Sequence, residues 1–180
     1  MKQDLIKEVA LNPGVTAHLD RNWLHLKGPK GEVKREFVYP KVAVTISGDK
    51  IVISSKQGTK REKTIMGSFF SHIRNMVSGV TKLHAYRLKI CSGHFPMNVS
   101  VSGKELVIKN FLGETVPRKV ELLDGVEVKI NGTEIAVSSV DKELAGQVAA
   151  KIEQACRITN RDLRVFQDGC YIVEKAGKGI

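Results

Sequence analysis

The chain has 180 residues, 42% of them hydrophobic and 27% charged, enough apolar material for one large core or two small ones and too much for a disordered chain. Its 29 Lys and Arg against 19 Asp and Glu give a formal net charge of +10, which favours a polyanionic partner, nucleic acid before an anionic membrane. Membrane-spanning and secreted classes are not expected, because no run nears the roughly 18 apolar residues of a membrane helix and the opening MKQDLIKEVALNPG is too charged for a signal.

Residues 1–90 hold 17 basic against 7 acidic side chains and residues 91–180 hold 12 against 12, so composition alone places the polyanion face on the first half. Along the chain, VAVTI and KIVIS read as two strands joined by a turn at Ser47-Gly48. KQGTKREK, Lys56 to Lys63, reads as a charged loop leading into a helix. That helix carries an apolar stripe of Ile65, Phe69, Ile73, Met76 and Val80, and the chain is expected to pass to a second domain near Ser78–Thr81. VSVSGKELVI then repeats the hairpin device around Ser102-Gly103. In VEVKINGTEIAV, Asn131-Gly132 suits a two-residue type I′ turn, with Val126, Val128 and Ile130 on one face of the pleat. A second helix, capped by Ser139 or Asp141, carries Leu144, Val148, Ile152, Ala155 and Cys156 on its apolar side.

The chain repeats itself. VAVTISGDKIVISS from Val42 lies over VEVKINGTEIAVSS from Val126, and seven of the fourteen pairs are identical. LHLKGPKGEV at Leu24 faces LVIKNFLGET at Leu106, and GSFFSHIRNMV at Gly67 faces GQVAAKIEQAC at Gly146. This is a tandem duplication. The expected fold class is α+β, with two tandem homologous domains at 1–80 and 81–180, each a mostly antiparallel sheet packed against one long helix.

Candidate chemistry is sparse. Cys91 and His94 have the spacing that opens a zinc site, but no second ligand pair follows. Three cysteines at no recurrent spacing argue against a disulfide framework. Cys156 reads as a small buried hydrophobe. Cys170 falls on either face of a strand, and a nucleophile formed by Cys170 or Cys91 with a histidine is the enzyme alternative. No nucleophile-elbow, metalloprotease or phosphate-loop signature occurs, since GKGI at the end of the chain lacks the rest of a P-loop. Neither catalytic residues, a metal, a cofactor nor a small-molecule substrate is therefore expected. The basic residues say more. Arg157, Arg161, Arg164, Lys175 and Lys178 are interleaved with Phe166, Tyr171 and glycine, with Asp162, Asp168 and Glu174 offsetting part of the charge. RNA contacts outside regular helices use this mixture of arginine forks, planar rings and close backbone approach.

GPKGEVKREF, NMVSGVTK, HFPMNV, NFLGE, VDKELAGQVAAKIEQ and DLRVFQDGCYIVEK, spread over nearly the whole chain, together resemble the universal large-subunit ribosomal protein L-six family in its archaeal and eukaryotic form. The resemblance implies two similar α+β domains that arose by duplication, and a non-enzymatic role in the cytoplasm as part of the large ribosomal subunit. It implies large-subunit rRNA as the partner, near the stalk base and the sarcin–ricin loop, with neighbouring stalk-base proteins and translation factors close by. Carried over by position, its main RNA-contacting surface falls on Arg157, Arg161, Arg164, Phe166, Gly169, Tyr171 and Lys175. Bacterial members end this segment in a Gly-Lys-Gly-Ile run; here GKGI at Gly177–Ile180 follows the YIVEK strand. Lys60, Arg61, Lys63 and Arg74 are candidates for a second rRNA contact that uses the charge of the first half. The alternative is a free-standing RNA-binding or RNA-chaperone module.

Overall fold

In the first half of the chain, alternating side chains build six strands that a single helix closes. A computed structural model of the protein describes residues 3–179. The strands are β1 Gln3–Ala10, β2 Thr16–Asp20, β3 Trp23–Gly28, β4 Gly31–Glu36, β5 Ala43–Ser47 and β6 Lys50–Gly58, followed by α1 Lys60–Thr81. They form two antiparallel sheets, ordered β1-β6-β5 and β2-β3-β4. Leu24, Leu26, Ile51, Ile53, Met66, Ile73 and Val80 are the deepest residues of this unit. Gly28 lets the β3–β4 turn rest on the last turn of α1. A Cβ there would lie 2.7 Å from the Val80 carbonyl oxygen, which instead accepts a 3.0 Å hydrogen bond from the Lys30 N–H.

The second half repeats the plan with β7 His84–Cys91, β8 Asn98–Ser102, β9 Glu105–Lys109, β10 Arg118–Glu121, β11 Val126–Asn131, β12 Glu134–Ser139 and α2 Lys142–Ala155. Sheet β10-β9-β8 matches β4-β3-β2, and β11-β12-β7 matches β5-β6-β1. The duplication read from sequence is thus a duplication of topology, and the fold is α+β with two tandem units. The chain adds β13 Gly169–Lys175 and β14 Lys178–Gly179 after α2, on the free side of β7. The corresponding side of β1 carries no strand among the described residues. The compact units divide between Leu83 and His84, and α1 runs through Thr81, so the expected junction at Ser78–Thr81 lies in the last helical turn. Among the described residues no helix is long and apolar enough to cross a membrane.

Several local expectations change. All three hairpins turn one residue later than expected. Ser47 pairs with Lys50, Ser102 with Glu105 and Asn131 with Glu134, leaving loops Gly48-Asp49, Gly103-Lys104 and Gly132-Thr133. Positive φ falls on the glycine alone, at 57°, 60° and 59°, so Asn131 is a strand residue and the type I′ requirement is absent. Ala176-Gly177, with φ of 50° and 82°, is the pair in which both central residues are left-handed, and it joins β13 to β14. The apolar stripe of α1 is centred on Met66, Ile73, Met76, Val77 and Val80. Ile65 and Phe69 are half-buried at its edge, where Phe69 packs edge-on against Phe37. In α2, Leu144 is half-buried, and Ala145 and Ala149 join Val148 and Ile152 in the core.

Lys56–Lys63 is not a loop. Lys56 to Gly58 complete β6, Thr59 is an N-cap, and Lys60 opens α1. The TKRE sequence forms a capping box: Thr59 Oγ1 accepts from the Arg61 N–H at 3.3 Å, and Glu62 Oε2 accepts from the Thr59 N–H at 2.8 Å. Capping of this kind satisfies helix donors that have no partner within the helix. The hydrogen bonds from the Thr59 hydroxyl and N–H hold the Glu62 carboxyl down at about 2. A group depressed in the folded state stabilises above its unfolded pKa, roughly 4.3, and ceases to do so as pH falls through its folded value. Acid titration of stability should therefore show a decline from about pH 4 towards pH 2. Glu62→Gln should flatten that decline, and an unchanged acid limb would refute the capping role.

Candidate nucleic-acid interface

The predicted C-terminal residues lie on the segment joining α2 to β13 and on the hairpin beyond it. Cys156 ends α2, and Arg118 secures this point. Its guanidinium donates to the Ala155 carbonyl at 2.7 Å, grips Glu114 through two hydrogen bonds, and lies over the Phe111 ring at 4.2 Å. A cation at a helix C-terminus satisfies carbonyls left without helical partners. The basic segment is therefore anchored where it leaves the helix.

Residues 160–166 then turn sharply. Asn160 takes φ 58°, the Asp162 carboxylate accepts from the Arg164 N–H at 2.9 Å, and the Asp162 carbonyl accepts from the N–H groups of Val165 and Phe166. This turn brings three planar groups together. The His94 ring stacks on Phe166 at 4.7 Å between centroids, and the Arg161 guanidinium sits 4.8 Å from the same ring. Asp168, 1% exposed, clasps the partner loop. It accepts from the N–H groups of Gly93 and His94, and His94 Nδ1 lies 2.7 Å from its other oxygen. Burial pushes the Asp168 carboxyl up, but the hydrogen bonds from His94 and Gly93 outweigh it and leave the pKa below the usual carboxylate range.

The predicted residues therefore divide by task. Arg157, Lys175 and Lys178 are exposed and carry no ion pair among the described residues. Lys175 and Lys178 face each other across the β13–β14 hairpin, which concentrates positive charge at its tip. Arg161 is exposed but positioned by Phe166. Arg164 is engaged by Asp162 at 2.9 Å, so its charge is largely answered within the protein. Phe166 is an internal anchor. Tyr171 is 41% exposed, and its ring lies over Gly169, where a Cβ would come within 3.3 Å of the ring atoms.

The candidate second contact is on α1 of the other unit. Lys60, Arg61, Lys63 and Arg74 are all exposed. At 3.6 residues per turn, Lys63 and Arg74 are three turns apart on one face, with Lys60 close to the same line and Arg61 turned away. Three cations occupy the first turn, where the helix dipole disfavours them, against the single acid Glu62.

The nucleophile reading of Cys170 falls away, and Cys156 is the small buried hydrophobe its helical position suggested. Cys156 and Cys170 are 4% and 1% exposed. The hydrogen bond to Cys156 and burial push the Cys170 thiol up, so it holds its proton and packs. His94, whose spacing from Cys91 resembles that of a zinc pair, is held by Asp168 and Phe166. Sequence reasoning missed the roles of His94, Asp168 and Arg118, because their partners lie 74, 74 and 37 positions away along the chain. GKGI contributes Lys178–Gly179 to β14, while its Ile180 lies outside the described residues.

Fold and site together define a duplicated, basic α+β protein whose second copy carries an added arginine-bearing turn and hairpin. A family described as Ribosomal protein L6 matches the chain twice, over residues 13–83 and 95–169, once in each unit. The large ribosomal subunit protein uL6 of Methanosarcina mazei is 41% identical over 176 residues, covering 98% of this chain and all of that protein. Its counterpart from Methanococcus vannielii is 42% identical over 175 residues, covering 97% and 96%. The chain belongs to the ribosomal protein L6 family.

Proposed function

We propose that this protein is a structural component of the large ribosomal subunit that binds large-subunit rRNA through residues 157–178. The observation that carries the reading is likeness along nearly the whole chain to relatives named as large ribosomal subunit proteins. The protein works in the cytoplasm as part of that particle and is not an enzyme. Arg157, Arg161, Lys175 and Lys178 supply the phosphate and base contacts and Tyr171 an exposed ring, while Phe166 and Gly169 shape the surface. Arg164 stays paired with Asp162 and adds a weaker contact.

In this reading the second domain holds rRNA near the stalk base and the sarcin–ricin loop, beside neighbouring stalk-base proteins and the docking region of translation factors. The first domain adds a weaker contact through Lys60, Lys63 and Arg74, with Arg61 contributing longer-range attraction. Sedimentation tests the proposal. Tagged protein should travel with large subunits through a gradient, and reversing the four α1 charges should lower its incorporation several-fold. Recovery of the wild type only in light fractions would favour a free-standing RNA-binding module. Full incorporation of the charge-reversed protein would remove the second contact.

A further inference from the structure

An apolar slot of about 560 Å³ lies between the last turn of α2 and β13, a size that accepts a small planar molecule. Its floor is Cys156 and Cys170, and its walls are Ile158, Leu163 and Tyr171. Leu163 is 63% exposed and Tyr171 41% exposed, in a segment otherwise rich in charge. Arg157 and Phe166 also line the slot, as does Glu153, whose carboxylate accepts from the Ile172 N–H at 3.0 Å, and Arg161 is held nearby on Phe166.

The two aromatic residues are not equivalent. Phe166 already carries the His94 ring and the Arg161 guanidinium. Tyr171 rests over a glycine, and its hydroxyl reaches the Asp168 carbonyl at only 3.5 Å, which leaves the ring open to a ligand. An apolar slot with an exposed ring and arginines around it matches a planar base joined to a phosphate better than an aliphatic protein side chain. Stacking on aromatic rings is how proteins hold bases that have left the helical stack.

We propose that this slot receives one unpaired base of the rRNA, stacked on Tyr171, with its phosphate on Arg157. The inference rests on the rRNA-binding reading above and deepens it. Because every base has a flat face, the slot selects for an unpaired nucleotide rather than for a particular sequence.

The test uses the full chain and large-subunit rRNA stripped of protein, with base-specific chemical probing and filter binding at several salt concentrations. Wild type and Tyr171→Phe should protect the same unpaired base. Tyr171→Leu should lose that protection and bind on the order of tenfold more weakly, with an unchanged salt slope because no phosphate contact is removed. Leu163→Asn alters an exposed wall outside the core and should weaken binding about threefold, so the idea does not depend on one variant folding. If both variants bind and protect like wild type, the slot does not hold a base, whatever the status of rRNA binding. If wild type itself shows no salt-dependent rRNA binding, the underlying reading fails and the slot proposal fails with it.

Discussion

Replacing Asp168 by alanine is expected to destabilise the second unit by about 2–4 kcal/mol, measured by urea unfolding. The carboxylate is 1% exposed and answers two backbone N–H groups and one imidazole nitrogen on the 93–94 loop. Hydrogen bonds to a charged group contribute about 1.5–3 kcal/mol each. The sum is smaller than three such terms, because Gly93 and His94 are exposed and water can answer their N–H groups once the carboxylate is gone. A loss below about 1 kcal/mol would show that the clasp is incidental.

The same group predicts a pH dependence. Its folded pKa lies below the ordinary carboxylate range, so its contribution is complete above the unfolded value, roughly 3.9. That contribution disappears as pH falls through the lower folded value. Asp168→Asn should therefore lose part of the acid sensitivity of the second unit below about pH 4. Release of the clasp should also free the His94–Phe166 stack, and with it Arg161, so rRNA binding should weaken although Asp168 is itself buried.

The second large effect concerns binding. Arg157→Ala combined with Arg161→Ala should lower affinity for large-subunit rRNA roughly tenfold or more and reduce the slope of log affinity against log salt by about one to two units. Each neutralised phosphate releases condensed counterions, and an arginine that makes no contact leaves the slope untouched. Arg164→Ala alone should change the slope less, because Asp162 already answers that charge at 2.9 Å. An Arg164 effect equal to that of the Arg157 and Arg161 pair would show that the Asp162 bridge breaks on binding. Filter binding between 50 and 200 mM salt is a suitable range.

Much of the fold was legible in the sequence because its signals are local. Period-two alternation marked β5, β6, β8, β9, β11 and β12, helical spacing marked α1 and α2, and seven identities in fourteen residues exposed the duplication. The errors are local too. A glycine after Ser or Asn reads as the second turn residue, yet the strand pairing makes it the first in all three hairpins. Lys56–Lys63 reads as a loop because charge and a glycine suggest one, but the β6 pairing and the Thr59–Glu62 cap leave no room for it.

The amino-acid sequence by itself favoured a polyanionic partner through net charge, marked the duplicated α+β plan through periodicity, and offered the residues after α2 as a candidate surface through their mixture of arginines, rings and glycine. Tertiary structure decided which of those residues are available. It committed Phe166 to His94, 72 positions away, and Cys170 to the core, and left Arg157, Arg161, Arg164, Lys175, Lys178 and Tyr171 exposed, with Arg164 held by its near neighbour Asp162. The physical reason is distance along the chain. Periodicity, charge and capping act over a few residues, whereas the Asp168 clasp joins positions 74 and 75 apart, which only folding brings within hydrogen-bonding reach.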